Sequence, residues 1–308
     1  MVIVSTPLSR WLTRCGGLLL AGLVLMLGAA GAEAATQKVE RKISVGGMER
    51  SYIAYVPDSA RSAAEVPVLF AFHPGFGSAD AFSGQINIHR APGADSFIVV
   101  YPEGFRRSWN SGDCCGPAMR RGIDDISFVK AMLEDLRRFG NISPNRNFAT
   151  GFSNGFAFSQ HLACNLPDSF AAIAGGGGVK DTSKQCANPK PISVMVMHGL
   201  IDEHSPFDGG QSKIERAGFR VSVQTVETFW QRQNRCSGTR TTSNLDGVSC
   251  TTHTGCTGGT EVVICPVPEM GHWWPGHEGS RAGERALGPS RGDLNGSAAV
   301  VRFFRSHF

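Results

Sequence analysis

The sequence predicts an α/β fold, a mostly parallel sheet with helices on both faces. Three observations predict it. Short continuous apolar runs, such as residues 68–72 and 192–197, have the make-up of strands buried on both faces. They alternate with stretches whose apolar residues recur at helical spacing. At Ala149-Thr150-Gly151-Phe152-Ser153-Asn154-Gly155 an apolar run passes directly into a helical pattern through Gly-x-Ser-x-Gly, the pattern of a sharp strand-to-helix turn.

The chain has 308 residues, 41% of them hydrophobic, and no Pro- or Ser-rich linker, so residues 35–308 are expected to form one domain. Arg10 and Arg14, the apolar run 16–30 and Ala32-Glu33-Ala34 before Ala35 mark residues 1–34 as a cleaved signal peptide. The mature protein is then secreted, extracellular or periplasmic, and no second apolar span would hold it in a membrane. The formal net charge is +4, with basic residues scattered and clustered no further than Arg106-Arg107 and Arg120-Arg121. That is no footprint for nucleic acid.

Setting Cys15 aside from nine cysteines leaves eight, an even number that reads as disulfides in an exported chain. The neighbours Cys114 and Cys115 are expected each to reach elsewhere, with Cys164 and Cys186 as partners. Cys236, Cys250, Cys256 and Cys265 are expected to pair among themselves. No Cys-x-x-Cys or clustered histidine suggests zinc or another metal.

Residues 42–57 read as a hairpin turning at Gly46-Gly47. The strand 68–72 runs into the loop His73-Pro74-Gly75-Phe76-Gly77-Ser78, and 96–101 is a second buried strand. Residues 109–117 form an irregular loop pinned by cysteines. Asp124-Asp125 open a helix with Ile126, Phe128, Val129, Met132, Leu133 and Leu136 on one face, and both carboxylates suit its positive end. Residues 147–150 are the strand before the serine turn and 156–163 the helix after it. Strand 170–174 ends in Gly175 to Gly178, either low complexity or a strand-end loop near a substrate. Strand 192–197 leads into His198-Gly199-Leu200-Ile201-Asp202. Helix 221–233, a last short strand 261–265, the segment 270–276 and a closing helix 298–304 complete the order.

In such a sheet reactive groups collect at the C-terminal ends of strands. The turn would lift the Ser153 hydroxyl clear at the positive end of a helix, with the Asn154 N–H facing a developing oxyanion. Side chains at Gly151 and Gly155 would crowd strand against helix. In α/β-hydrolases the order is serine, acid, histidine, which leaves His204, His253, His272, His277 and His307 as candidate bases. His272 follows the last strand in a Gly-rich turn and fits best, with His277 close enough to compete. His204 lies two residues beyond the candidate acid, and His253 and His307 read as surface residues. Asp202 is the acid that would orient the imidazole, with Glu203 and Asp208 as alternatives. A second oxyanion donor belongs after strand 68–72; Pro74 has no N–H, so it is Gly75 or Phe76, with His73 bracing the loop. Trp109, Trp273 and Trp274 suit an aromatic acyl group or a sugar face, although core packing serves any one of them as well.

These residues together resemble the secreted esterases grouped with poly(3-hydroxybutyrate) depolymerases and feruloyl esterases of the carbohydrate-esterase type. The marks are His73-Pro74-Gly75-Phe76-Gly77-Ser78, Trp109-Asn110 with Cys114-Cys115-Gly116-Pro117, Ile123-Asp124-Asp125, the Ser153 turn, His198-Gly199 with Asp202, and Gly271-His272-Trp273-Trp274-Pro275-Gly276. The resemblance covers most of the mature chain. It implies a disulfide-stabilised α/β-hydrolase fold with Ser153 as nucleophile, Asp202 as acid and His272 as base, working through an acyl-enzyme without cofactor or metal. Many relatives have Gly in place of Pro74 and Met in place of Asn154; the first difference leaves the second oxyanion donor open, and the second should matter little because the N–H acts there. The implied substrate is a small-molecule or polysaccharide-linked ester. A feruloyl or plant-cell-wall ester is preferred to a hydroxybutyrate oligomer. An insoluble polyester usually calls for a binding domain on a linker, which is not expected here, and Trp109, Trp273 and Trp274 suit an aromatic acyl group or a sugar face. A non-catalytic binding protein on the same fold is the alternative from another class.

Overall fold

The computed structural model describes residues 36–308 apart from 113, 115, 182–185, 187–189 and 215–217. Residues 1–34, expected to be a signal peptide, and Cys115 lie outside the described residues. In chain order the strands are β1 (Thr36–Val45), β2 (Met48–Pro57), β3 (Val68–Phe72), β4 (Ile98–Pro102), β5 (Asn147–Phe152), β6 (Phe170–Gly176), β7 (Ser193–Gly199), β8 (Gly210–Gln211), β9 (Phe219–Arg220), β10 (Gly238–Leu245), β11 (Val248–Thr254) and β12 (Val262–Val267). The helices are α1 (Ala79–Ile86), α2 (Gly116–Arg120), α3 (Asp125–Leu136), α4 (Asn154–Asn165), α5 (Val223–Gln233), α6 (Arg281–Leu287) and α7 (Gly296–Arg305).

Apart from the small β8–β9 ribbon, the strands form one sheet in the order β1-β2-β4-β3-β5-β6-β7-β12-β11-β10. The stretch from β4 to β12 is parallel throughout. Antiparallel strands extend it at both ends. Alternation of side chains along each strand divides the core in two. Val68, Phe70 and Phe72 of β3 join Phe128 and Met132 of α3 and Phe156 and Phe158 of α4 on one face. Leu69 and Ala71 join Phe82 of α1 and Val300 and Phe304 of α7 on the other. Continuous apolar runs are required because both faces are covered.

The hairpin turns at Gly46 and Gly47 with φ of 57° and 77°, the positive pair that a tight antiparallel turn demands. Asp124 caps α3, its carboxylate accepting from the Ser127 N–H at 2.8 Å. Asp125 stands in the first turn as expected and has a further role. It is buried, pairs with Arg50 at 2.8 Å and accepts from the Asn110 N–H at 2.8 Å. Burial pushes its carboxyl above the usual range, with Arg50 opposing. It joins β2, α3 and the loop after β4.

The strands β10 and β11 were not anticipated. β10 is Gly-Thr-Arg-Thr-Thr-Ser-Asn-Leu, and only Leu245 of it is fully buried, so the sheet edge lacks the apolar signature. His253, expected at the surface, lies buried on β11 with its Nε2 2.6 Å from Glu227 on α5. The disulfide expectation is half corrected. Cys236–Cys256 and Cys250–Cys265 do pair within the later four, but Cys164 bonds Cys186 rather than Cys114 or Cys115. The physical reason is proximity, since the end of α4 brings the Cα of Cys164 to 4.8 Å from that of Cys186.

Candidate active site

The central strands end on one side of the sheet, and three of the loops leaving them meet there. β5 turns into α4 at Ser153, whose backbone has φ 52° and ψ −123°, a conformation that side-chain-bearing residues avoid. The turn is tight enough to exclude side chains. A Cβ on Gly155 would lie 2.0 Å from the Phe72 carbonyl oxygen, and one on Gly151 2.5 Å from the Gly155 carbonyl carbon. Ser153 precedes α4 without capping it by its side chain, which leaves the hydroxyl to face outward.

The loop after β12 carries His272 to the serine, with Nε2 3.0 Å from Ser153 Oγ. The loop after β7 brings Asp202, whose Oδ2 lies 2.7 Å from His272 Nδ1. The other oxygen, Oδ1, accepts the N–H groups of His204 and Ser205, each at 2.8 Å. With Asp202 ionised, His272 carries its proton on Nδ1 and turns the Nε2 lone pair to the serine hydroxyl. Burial works against the Asp202 charge, but His272, His198 and the donated hydrogen bonds outweigh it and hold the carboxyl below its usual range. The imidazole is held between rings: His204 stacks on it at 5.1 Å and Phe152 lies at 4.8 Å.

Asn154, the first residue of α4, has no partner within the helix for its N–H, and among the described residues no backbone hydrogen bond outside the helix takes it. Of the two candidates for a second donor, Phe76 is excluded, because its N–H is bonded to the Arg107 carbonyl at 2.9 Å. Gly75 remains. Among the described residues no backbone hydrogen bond takes its N–H, and a Cβ there would lie 3.8 Å from the Asn154 Cβ. His73 braces the loop as its neutral tautomer: Nδ1–H donates to the Pro74 carbonyl at 2.8 Å, and Nε2 accepts from the Gly104 N–H at 2.9 Å.

No family model matches the chain. Over 235 residues it is 26% identical to feruloyl esterase B of Piromyces equi, a match taking in 72% of this chain and 42% of that protein. It is 26% identical over 253 residues to NocK of Nocardia uniformis subsp. tsuyamanensis, named as an esterase, across 77% of this chain and 74% of the relative. The chain is a homologue of feruloyl esterases. It spans less than half the length of the Piromyces relative. Among solved structures, a dienelactone hydrolase-like promiscuous phosphotriesterase from metagenomic libraries matches with TM-score 0.54 at 14% identity, over 88% of this chain and 99% of the other. Acetyl xylan esterase from Aspergillus awamori matches with TM-score 0.50 at 15% identity, over 76% and 94%. At these identities the likeness is one of fold, the α/β-hydrolase fold.

In this homologue of feruloyl esterases a small cleft opens over Ser153 and His272, lined further by Gly177, Gly178, His204 and Ile214. The glycine run is there because backbone passes against the reactive residues: a Cβ on Gly178 would fall 1.7 Å from the Ser153 carbonyl oxygen. The tryptophans are elsewhere, which corrects the sequence expectation. Trp109 and Trp274 are fully buried, and Trp273 is 7% exposed with its indole N–H bonded to the Gly288 carbonyl. None lines the cleft. Trp109 packs against Phe72 and Phe158, and Trp274 donates to Ser297. Their large apolar area, with a single polar atom to satisfy, makes them core residues.

The sequence assigns no role to two contributing side chains. The Asn154 carboxamide, thought indifferent, bonds both backbone groups of Trp109. His198 lies buried behind the acid, with Nε2 2.7 Å from the Ser205 carbonyl. Burial holds it below the ordinary histidine range against the pull of Asp202. It is neutral, and supports the turn that presents Asp202. Among the described residues no three His, Cys, Asp or Glu side chains are grouped to hold a metal ion, and no helix is long and apolar enough to cross a membrane.

Proposed function

We propose that the protein is an exported serine esterase that cleaves carboxylic esters through an acyl-enzyme. The observation that carries this reading is the unbroken hydrogen-bonded sequence Ser153 Oγ to His272 Nε2, at 3.0 Å, and His272 Nδ1 to Asp202 Oδ2, at 2.7 Å, at the floor of a cleft. His272 accepts the hydroxyl proton as Ser153 attacks the ester carbonyl. The tetrahedral oxyanion is met by the N–H groups of Asn154 and Gly75. Asp202 stabilises the imidazolium, which then protonates the leaving alcohol. Water deprotonated by the same imidazole attacks the acyl-serine and releases the acid.

The preferred substrate class is a feruloyl or related ester of plant-cell-wall polysaccharide. The names of the matched relatives support it; the tryptophans, being buried, do not. The leader-like segment 1–34 and the disulfides support export. Replacing Ser153→Ala should lower turnover of methyl ferulate and of a nitrophenyl acetate by about 10³-fold or more, with the melting temperature kept. Undiminished turnover in that variant would remove the serine from the mechanism.

A further inference from the structure

The two oxyanion donors stand on different elements. Asn154 N–H belongs to the start of α4, whereas Gly75 lies in an irregular loop after β3. Backbone strain at the elbow fixes the first; in the loop the Pro74 carbonyl accepts from His73 Nδ1–H and the Gly77 N–H, but those bonds are local and do not tie the loop to α4. A third segment, 104–109, ties the loop down. Gly104 donates to His73, Arg107 accepts from Phe76 N–H and gives its Nε–H to the Gly77 carbonyl at 3.0 Å, and the Trp109 indole donates to the His73 carbonyl at 3.0 Å.

Among the described residues one side chain of α4, Asn154, hydrogen-bonds that segment, and the Phe158 ring stacks on Trp109 beside it. Asn154 Oδ1 accepts from the Trp109 N–H at 2.7 Å, and Asn154 Nδ2 donates to the Trp109 carbonyl at 3.0 Å. Both residues are buried. A carboxamide of this length is the one side chain that offers an acceptor and a donor in the spacing of a backbone pair. Aspartate lacks the donor, glutamine is longer by a methylene, and methionine or leucine offers neither.

Resting on the esterase reading above, we infer that the Asn154 side chain is a positioning residue, which with Trp109 sets the separation of the two oxyanion donors. The route runs from the Asn154 backbone through its own carboxamide to Trp109, through the indole N–H to His73, and so to Gly75. Asn154 thus acts twice, as a donor by its N–H and as a brace by its side chain. Loosening the brace should weaken stabilisation of the tetrahedral oxyanion and leave the ground-state ester and the His272–Asp202 pair undisturbed.

The test compares wild type, Asn154→Leu and Trp109→Phe, the last removing the indole donor to His73 together with some ring volume, which the melting temperature of each variant monitors. Measured are kcat and KM for nitrophenyl acetate, the pH profile, the inhibition constant of phenylboronic acid, and the hydrogen exchange of the residue-109 amide. The brace predicts that kcat falls about ten- to hundredfold in Asn154→Leu and less in Trp109→Phe. KM and the pH midpoint should stay in place, and boronate affinity should fall by the same factor as kcat. The double variant should lose less than the product of the two single losses, because both break one connection. In Asn154→Leu the residue-109 amide should exchange faster. Unchanged kcat and boronate affinity with a merely lowered melting temperature would overturn the inference, as would unchanged amide protection. If the wild type turned over no ester, the esterase reading would fall; the brace would still be judged by the amide exchange.

Discussion

Asp202 shows how much one carboxylate decides. Its Oδ1 is committed to two backbone N–H groups, so only Oδ2 is left for the imidazole. An amide in its place keeps the oxygen on those two donors and turns its NH₂ toward His272 Nδ1. The imidazole must then carry its proton on Nε2, where it cannot accept from Ser153. Asp202→Asn should therefore lower kcat by about 10⁴-fold with little loss of stability. A fall of less than tenfold, read from steady-state kinetics, would show that Asp202 does not set the tautomer. Ser153, Asp202 and His272 could be named from the sequence because each follows an apolar strand and their order along the chain is restricted. The Asn154 carboxamide and His198 could not. The first stands in the Gly-x-Ser-x-Gly turn and the second in His198-Gly199, but their partners, the Trp109 backbone and the Ser205 carbonyl, are set by the folded loops and by no local pattern.

At the level of elements, burial decides what the sequence reveals. Strands covered on both faces, such as β3 and β7, are unbroken apolar runs. The Thr-rich edge strand β10 has one face in water and reads as loop. The same principle explains the tryptophans. Proximity in sequence to reactive residues suggested a binding platform, but a large ring beside a sheet end is also what fills the space under the loops. The glycines after β6 carry a sharper message. Gly177 has φ 67°, and a Cβ there would lie 2.5 Å from the Phe152 ring and 3.1 Å from His272 Cε1. Gly177→Ala should destabilise the protein by about 1–2 kcal/mol through its backbone alone. It should also reduce kcat more than tenfold by displacing the imidazole. Crystal-free tests suffice: thermal melting for the first effect and nitrophenyl ester kinetics for the second. Wild-type kcat in this variant would mean that the loop does not press on His272.

Across the whole molecule, buried and half-buried histidines tie stability to pH. His73 is pushed down to about 4 by burial, with Arg107 adding to the effect and its bond to Pro74 opposing it. Its Nε2 must stay an acceptor for the Gly104 N–H, so a proton there is excluded in the fold. His89 is likewise lowered to about 4, and His198 and His277 are lowered too, each chiefly by burial. For a base whose folded pKa is depressed, the unfolded chain takes up the proton first. The stability present above the ordinary value of 6.5 is then lost as the pH falls toward 4. His73 alone contributes a loss of about 2 kcal/mol by pH 5. Asp125 and Glu103, raised by burial, act in the opposite sense, two groups against four. Asp202, being lowered, gives up its contribution only below its ordinary 3.8. The melting temperature should be steady from pH 8 to 7 and fall between pH 6.5 and 5. A flat profile over that range would contradict the assignment of these histidines as neutral.

The central claim is that Ser153 is the nucleophile, activated by His272. The most direct measurement is covalent capture by a serine-reactive alkyl phosphonate, followed by intact-mass and peptide mass spectrometry. The account predicts one phosphonyl group per chain, carried on Ser153, with labelling abolished in Ser153→Ala and greatly slowed in His272→Ala. Labelling at another serine, or undiminished labelling of Ser153→Ala, would contradict it.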